Sequence, residues 1–187
     1  MLKLDLYGQN DSQVAPADQT TQTNALALTG DPGTDNTTLT NAGFLGGKIV
    51  AITGYTGDSA TSSTTFAALI SPCDASIGQK PYGTLINGPG DFSSSITPAG
   101  SGRTPIVRGM WKGAVDSQAY NTSSTYTLGK ALYCGGSTAD TAGNKGVGLY
   151  MPLVAGTGAG GPNTDVVGIC THVPSTNEPW LGIASTL

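Results

Sequence analysis

The sequence predicts an all-β protein, a compact barrel or sandwich of short strands preceded by an extended N-terminal arm. Three observations carry that prediction. Of the twelve acidic residues only Glu178 is a glutamate, and the others are aspartates, which favour turns and caps over helix interiors. Twenty-eight glycines and eleven prolines punctuate the chain at short intervals. Between them lie bursts of Val, Ile, Leu, Thr and Tyr, and no window carries an apolar stripe at helical spacing.

The first element is the alternating run Leu2-Lys3-Leu4-Asp5-Leu6-Tyr7, which predicts a strand with Leu2, Leu4 and Leu6 on one face. From there to residue 43 the chain is almost wholly polar and cannot bury enough surface to order itself. Residues 1–43 therefore read as an arm, and residues 44–187 as a single barrel or sandwich domain. The arm is expected to be pinned along its own barrel or on another subunit, a partner being the simplest candidate, with most of its buried contacts intermolecular. Leu2, Leu4, Leu6 and Tyr7 are the contact candidates there. Strand signals then follow over residues 48–53, 65–71, 82–87, 104–111, 125–134, 147–154, 165–173 and 180–184. Turn chemistry separates them, as in Gly135-Gly136-Ser137 and Gly143-Asn144-Lys145-Gly146.

A faint internal echo runs through this pattern. Gly47-Lys48-Ile49-Val50 leads by way of a polar loop to Phe66-Ala67-Ala68-Leu69, and Gly129-Lys130-Ala131-Leu132 leads likewise to Leu149-Tyr150-Met151. Each reaches a strand with an early glycine, Tyr82-Gly83-Thr84-Leu85 or Val167-Gly168-Ile169-Cys170. The echo predicts one strand-loop-strand-strand unit used twice.

The composition narrows the function classes. Charged residues make up 11% of the chain, against about 25% in an average globular protein. The eight basic residues are scattered and the net charge is −4, so no phosphate-neutralising patch is expected and nucleic acid is not a predicted partner. No run approaches a membrane span of roughly 20 apolar residues. The N-terminus lacks the apolar stretch and cleavage site of a signal peptide, so synthesis in a cytoplasm is expected. Cys73, Cys134 and Cys170 are odd in number and widely spaced, which predicts buried, reduced thiols.

No motif points to catalysis. Gly156, Gly158 and Gly161 satisfy G-x-G-x-x-G, but Pro162 follows where a nucleotide-binding helix would have to open. Cys170 and His172 share a strand face, yet zinc needs three or four ligands. His172 is the only possible base for a hydrolase, and no nucleophile elbow accompanies it. No cofactor or metal is expected. Trp111 reads as core, while Trp180, near the C-terminus, is equally suited to core or interface.

Residues 81–187 have a further cadence. Pro81-Tyr82-Gly83-Thr84-Leu85 is similar to a strand of the form p-x-G-(I/L/V)-L. Tyr126-Thr127-Leu128-Gly129-Lys130-Ala131-Leu132-Tyr133 is similar to y-x-x-G-x-x-L-y, and Asp165 to Ser175 to vvGvvt-x-x-P-s. Closed by Leu181-Gly182-Ile183, this resembles the small β-barrel structural proteins of tailed-bacteriophage heads, the capsid decoration or cement proteins. The resemblance implies a non-enzymatic virion protein on the outer surface of the head. It would be made in the host cytoplasm, often trimeric, and would clamp neighbouring major capsid subunits. The expected partners are the major capsid protein and further copies of the chain, a homotrimer first. Two other classes fit the composition: a phage surface or fibre protein that binds host glycans, and a small polysaccharide hydrolase with paired aspartates across a cleft.

Overall fold

The computed structural model describes residues 2–5, 10–16, 43–55, 68–86, 103–140, 143–152 and 165–187. Its strands are β1 (Leu2–Asp5), β2 (Asn10–Pro16), β3 (Ile49–Tyr55), β4 (Ala68–Pro72), β5 (Pro81–Leu85), β6 (Arg103–Gly109), β7 (Lys112–Val115), β8 (Ala131–Cys134), β9 (Tyr150–Pro152), β10 (Val166–His172) and β11 (Leu181–Ser185). A single 3-10 turn, Ala75–Ile77, is the only helical element among the described residues. The strands form two antiparallel sheets in a sandwich-like arrangement, ordered β1-β7-β11-β10-β8-β9 and β2-β6-β5-β3-β4. Among the described residues neither closes into a barrel, although the edges β2 and β4 approach each other and curl the smaller sheet.

The echo in the sequence is a duplication of the fold. Adding five to each strand of β2-β6-β5-β3-β4 yields β7-β11-β10-β8-β9, and β1 is appended outside the second set. The registers coincide as well. Ile49 faces Thr84 and Val50 faces Gly83, as Ala131 faces Ile169 and Leu132 faces Gly168. Both ladders then slip by one residue, so that Ala51 meets Pro81 and Tyr133 meets Val166, the same bulge in the same place. On the other side of the central strand, Val50 pairs with Pro72 and Leu132 with Pro152. The entry turns match: Gly47 donates to the Leu85 carbonyl at 2.7 Å, and Gly129 to the Cys170 carbonyl at 2.8 Å. Both turn glycines have positive φ, +88° and +76°, a conformation that L residues with a side chain rarely adopt.

Gly83 and Gly168 share a second constraint. A Cβ on Gly83 would lie 3.0 Å from the Val107 carbonyl, and one on Gly168 would lie 2.9 Å from the Ala184 carbonyl. The two glycines let equivalent neighbouring strands approach equally closely.

The two sheets pack front to back. In β3, Ile49 and Ala51 enter one buried cluster while Val50 enters another, as alternation along a strand requires. Val50, Leu85 and Ile106 join Phe44 and Ile70 inside the curled smaller sheet. Their equivalents Leu132, Cys170 and Ile183 lie in the larger cluster, between the sheets, with Trp111, Val115, Tyr150 and Leu181. The inner face of the larger sheet therefore receives the outer face of the smaller one, through Ile49, Ala51 and Val107. A buried polar contact crosses this apolar interface: the Thr84 and Tyr150 hydroxyls lie 2.7 Å apart, and both residues are fully buried.

The structure corrects several expectations. β2 lies in the tract read as featureless, because main-chain pairing along seven residues of β6 needs no apolar side chains at a sheet edge. Within this chain the described backbone of the arm pairs with strands of the body, β1 with β7 and β2 with β6. Leu2 sits opposite Val115 and Leu4 opposite Gly113, whereas Leu6 and Tyr7 lie outside the described residues. The Gly156–Pro162 loop also lies outside them. Residues 125–130 are not strand, since a turn from Thr127 to Lys130 at Gly129 bends the chain before β8 begins, and the short β7 carried no readable signal. Trp111 is core, as expected.

The buried hydroxyl pair yields a sharp test. Thr84→Val or Tyr150→Phe alone leaves one buried hydroxyl without its partner and should cost about 1–3 kcal/mol in urea unfolding. The double variant should recover most of that loss, giving a favourable coupling energy. Additive losses would show that the pair does not hold the sheets in register.

Candidate interaction surface

The duplication shows where a face has no counterpart covering it. Thr84 is buried because the larger sheet lies over it; its equivalent on β10, Ile169, is 41% exposed, and Val166 on the same strand is 42% exposed. Val173 just beyond β10 is also exposed, and Leu128, in the turn leading into β8, is 65% exposed. The Gly129 hydrogen bond to Cys170 carries that turn alongside β10. The result is an apolar strip on and beside the outer side of the larger sheet, with a Lys80–Asp165 ion pair (3.0 Å) at the start of β10.

A groove of about 390 Å³ adjoins it, between Tyr120–Tyr126 and the segment Val173–Thr176. Its wall is hydroxyl-rich, with Thr122, Ser124, Thr125, Ser175 and Thr176. The two tyrosines meet edge to face, 5.7 Å apart at 88°. Both are buried, and their hydroxyls serve the fold: Tyr126 reaches the Tyr150 carbonyl at 2.8 Å and Tyr120 reaches the Pro179 carbonyl at 3.3 Å. Burial pushes both phenols above their ordinary value; the Asp116 carboxylate adds to the shift at Tyr120. The rings are therefore spent as walls and present little stacking face.

The far side of the groove is a clipped turn. Ser175 N–H donates to the Glu178 carbonyl at 2.9 Å, Glu178 N–H donates to the Ser175 hydroxyl at 3.1 Å, and His172 Nε2 lies 3.2 Å from the Glu178 carboxylate. The chain's sole histidine and sole glutamate thus brace one hairpin. Cys170 does not aim its thiol at His172's ring; it donates to the His172 carbonyl at 3.5 Å. Trp180 follows Pro179, just before β11, and is half-buried.

A second cluster straps the two repeats together. Asp74 caps the 3-10 turn by accepting from Ser76 N–H at 2.9 Å, and accepts from Ser137 N–H, beyond β8, at 2.9 Å. The Ser76 hydroxyl accepts in turn from Thr138 N–H at 2.8 Å. Partial burial raises the Asp74 carboxyl, but the hydrogen bonds from Ser137 and Ser76 together outweigh it and leave its pKa below the usual carboxylate range.

Of the contact residues expected from the sequence, Trp180 is half-buried just before β11, and Leu2 and Leu4 lie on β1, the edge strand of the same sheet. It does not join them into one patch. Val166, Ile169 and Leu128 were not singled out, yet aligning the two repeats exposes the signal: Ile169 stands where the other copy has Thr84. Among the described residues no three His, Cys, Asp or Glu side chains group as metal ligands. The chain matches no family model, no curated protein and no solved structure.

The Asp74 strap predicts an acid limb of stability. A depressed carboxyl stabilises the fold above the unfolded pKa and loses that contribution as pH falls through the folded one. The urea midpoint should hold from neutral pH to about 5 and decline below about 4. Asp74→Asn should flatten part of that decline, and an unchanged profile would remove Asp74 from the account.

Proposed function

We propose that the chain is a structural virion protein of a tailed bacteriophage, a head decoration protein that stabilises the shell by binding neighbouring major capsid subunits. The observation that carries this reading is the strand series of the resemblance. Its p-x-G-x-L segment is β5 and its vvGvvt segment is β10, equivalent strands of the two repeats. The disposition of polar groups supports a binding body. Asp74, Asn121, His172 and Glu178 spend their side chains on turns and straps, and the outer side of the larger sheet presents Val166, Ile169 and Leu128. The capsid-facing surface in this reading is that strip, with Trp180 and the β1 edge as its borders, and a homotrimer is the expected assembly.

A second reading, glycan binding by a surface or fibre protein, is favoured by the hydroxyl-lined groove beside Val173. The burial of Tyr120 and Tyr126 places it second, because sugar recognition commonly stacks on an open aromatic face.

In purified virions, quantitative mass spectrometry should find the chain in constant proportion to the major capsid protein and distributed over the shell. Restriction to a vertex or tail would favour the glycan reading instead. Ile169→Asp, at a half-exposed position, should leave the melting temperature nearly unchanged and weaken binding to undecorated heads about tenfold or more. Unaltered binding would exclude the β10 strip as the contact.

A further inference from the structure

Cys73 and Cys134 belong to different repeats and meet at their junction. Cys73 follows Pro72 at the end of β4, and Cys134 ends β8. Their backbones run side by side: Gly148 N–H donates to the Cys73 carbonyl at 2.7 Å, and Ala75 N–H donates to the Gly135 carbonyl at 3.4 Å. The Cys134 thiol itself reaches the Cys73 carbonyl oxygen at 3.5 Å. That oxygen lies roughly 2.4 Å from its own Cα, so the Cys134 sulfur sits within side-chain reach of Cys73. Both residues are fully buried. The fold does not itself require sulfur at this point, since the equivalent of Cys134 in the other repeat is Ile52.

In the reduced protein the Cys134 thiol is quiet. The adjoining Cys73 side chain, and then burial, push the Cys134 thiol well above its ordinary value, which keeps it protonated and unreactive. Access is controlled by the next residue along, because the Asp74 strap holds the 73–80 segment against Ser137 and Thr138.

We propose that Cys73 and Cys134 are a latent disulfide that covalently joins the two repeats when the protein moves from a reducing to an oxidising medium. The oxidant is a small disulfide of the glutathione type. After the strap opens locally, one cysteine thiolate attacks the small disulfide, forming a mixed disulfide and expelling one glutathione thiolate. The second cysteine thiolate then attacks the protein sulfur of that mixed bond and expels the other glutathione thiolate. Two protein thiols are oxidised, one small disulfide is reduced, and the two protons lost by the cysteines end on the released thiolates. The inference is independent of the virion reading.

The test uses the full chain with oxidised glutathione at about pH 8.5, followed by alkylation in denaturant and peptide mapping. One alkylatable thiol should remain, Cys170, with Cys73 and Cys134 in a single linked peptide pair that dithiothreitol releases. The linked protein should melt roughly 5–15 °C higher. Asp74→Ala should speed the reaction, Cys170→Ser should still form the link, and Cys134→Ser should stop at a glutathione adduct on Cys73. Three alkylatable thiols after prolonged oxidation of the Asp74→Ala protein would overturn the proposal. So would stable glutathione adducts on both cysteines, or a link that involves Cys170.

Discussion

The apolar interface between the outer face of the smaller sheet and the inner face of the larger one is the constraint on which the molecule depends. Ile49, Ala51 and Val107 enter it from one side and Leu132, Tyr150, Leu181 and Ile183 from the other. Burial on this scale is non-directional and would tolerate sliding. The Thr84–Tyr150 hydroxyl pair, buried and 2.7 Å apart, is directional and satisfied in one register only. Apolar burial supplies the driving force, and the buried pair selects the alignment.

Front-to-back packing of two equivalent sheets has an asymmetric consequence. A face-to-face pair would cover equivalent surfaces in both copies, whereas here the outer face of one copy is buried in the interface and that of the other is left half-exposed at Val166 and Ile169. The difference between buried Thr84 and half-exposed Ile169, at one register position, is the local expression of this. The proposed shell-binding strip therefore arises from the order in which the two repeats nest. The contacts of Asp74 with Ser137 and of Cys134 with Cys73 tie the two repeats together at their junction.

Much of the fold was legible in the sequence for local reasons. Glycines, prolines and aspartates marked the turns, and aliphatic bursts marked β3, β5, β6, β10 and β11 within a few residues. The duplication was visible in Gly47-Lys48 and Gly129-Lys130, and in Gly83 and Gly168, because positive φ and close strand approach leave glycine little alternative. What stayed hidden depends on long-range pairing. β2 is polar and follows the edge of β6 through main-chain bonds, and β7 is four residues with one glycine. The interaction strip was illegible for a different reason. Ile169 looks like any core residue of an apolar strand, and only the position of the other sheet determines that its side lies open.

The central claim is that two equivalent sheets nest into one cooperative body, and native-state amide exchange tests it most directly. Gly47 and Leu85 in one repeat make the same entry-turn bonds as Gly129 and Cys170 in the other. If the interface unites them, all four amides should exchange through one global opening and share its free energy and denaturant dependence. Exchange of Gly47 and Leu85 through a distinctly cheaper opening, while Gly129 and Cys170 stay protected, would mean that the sheets fold as separate units and would contradict the account.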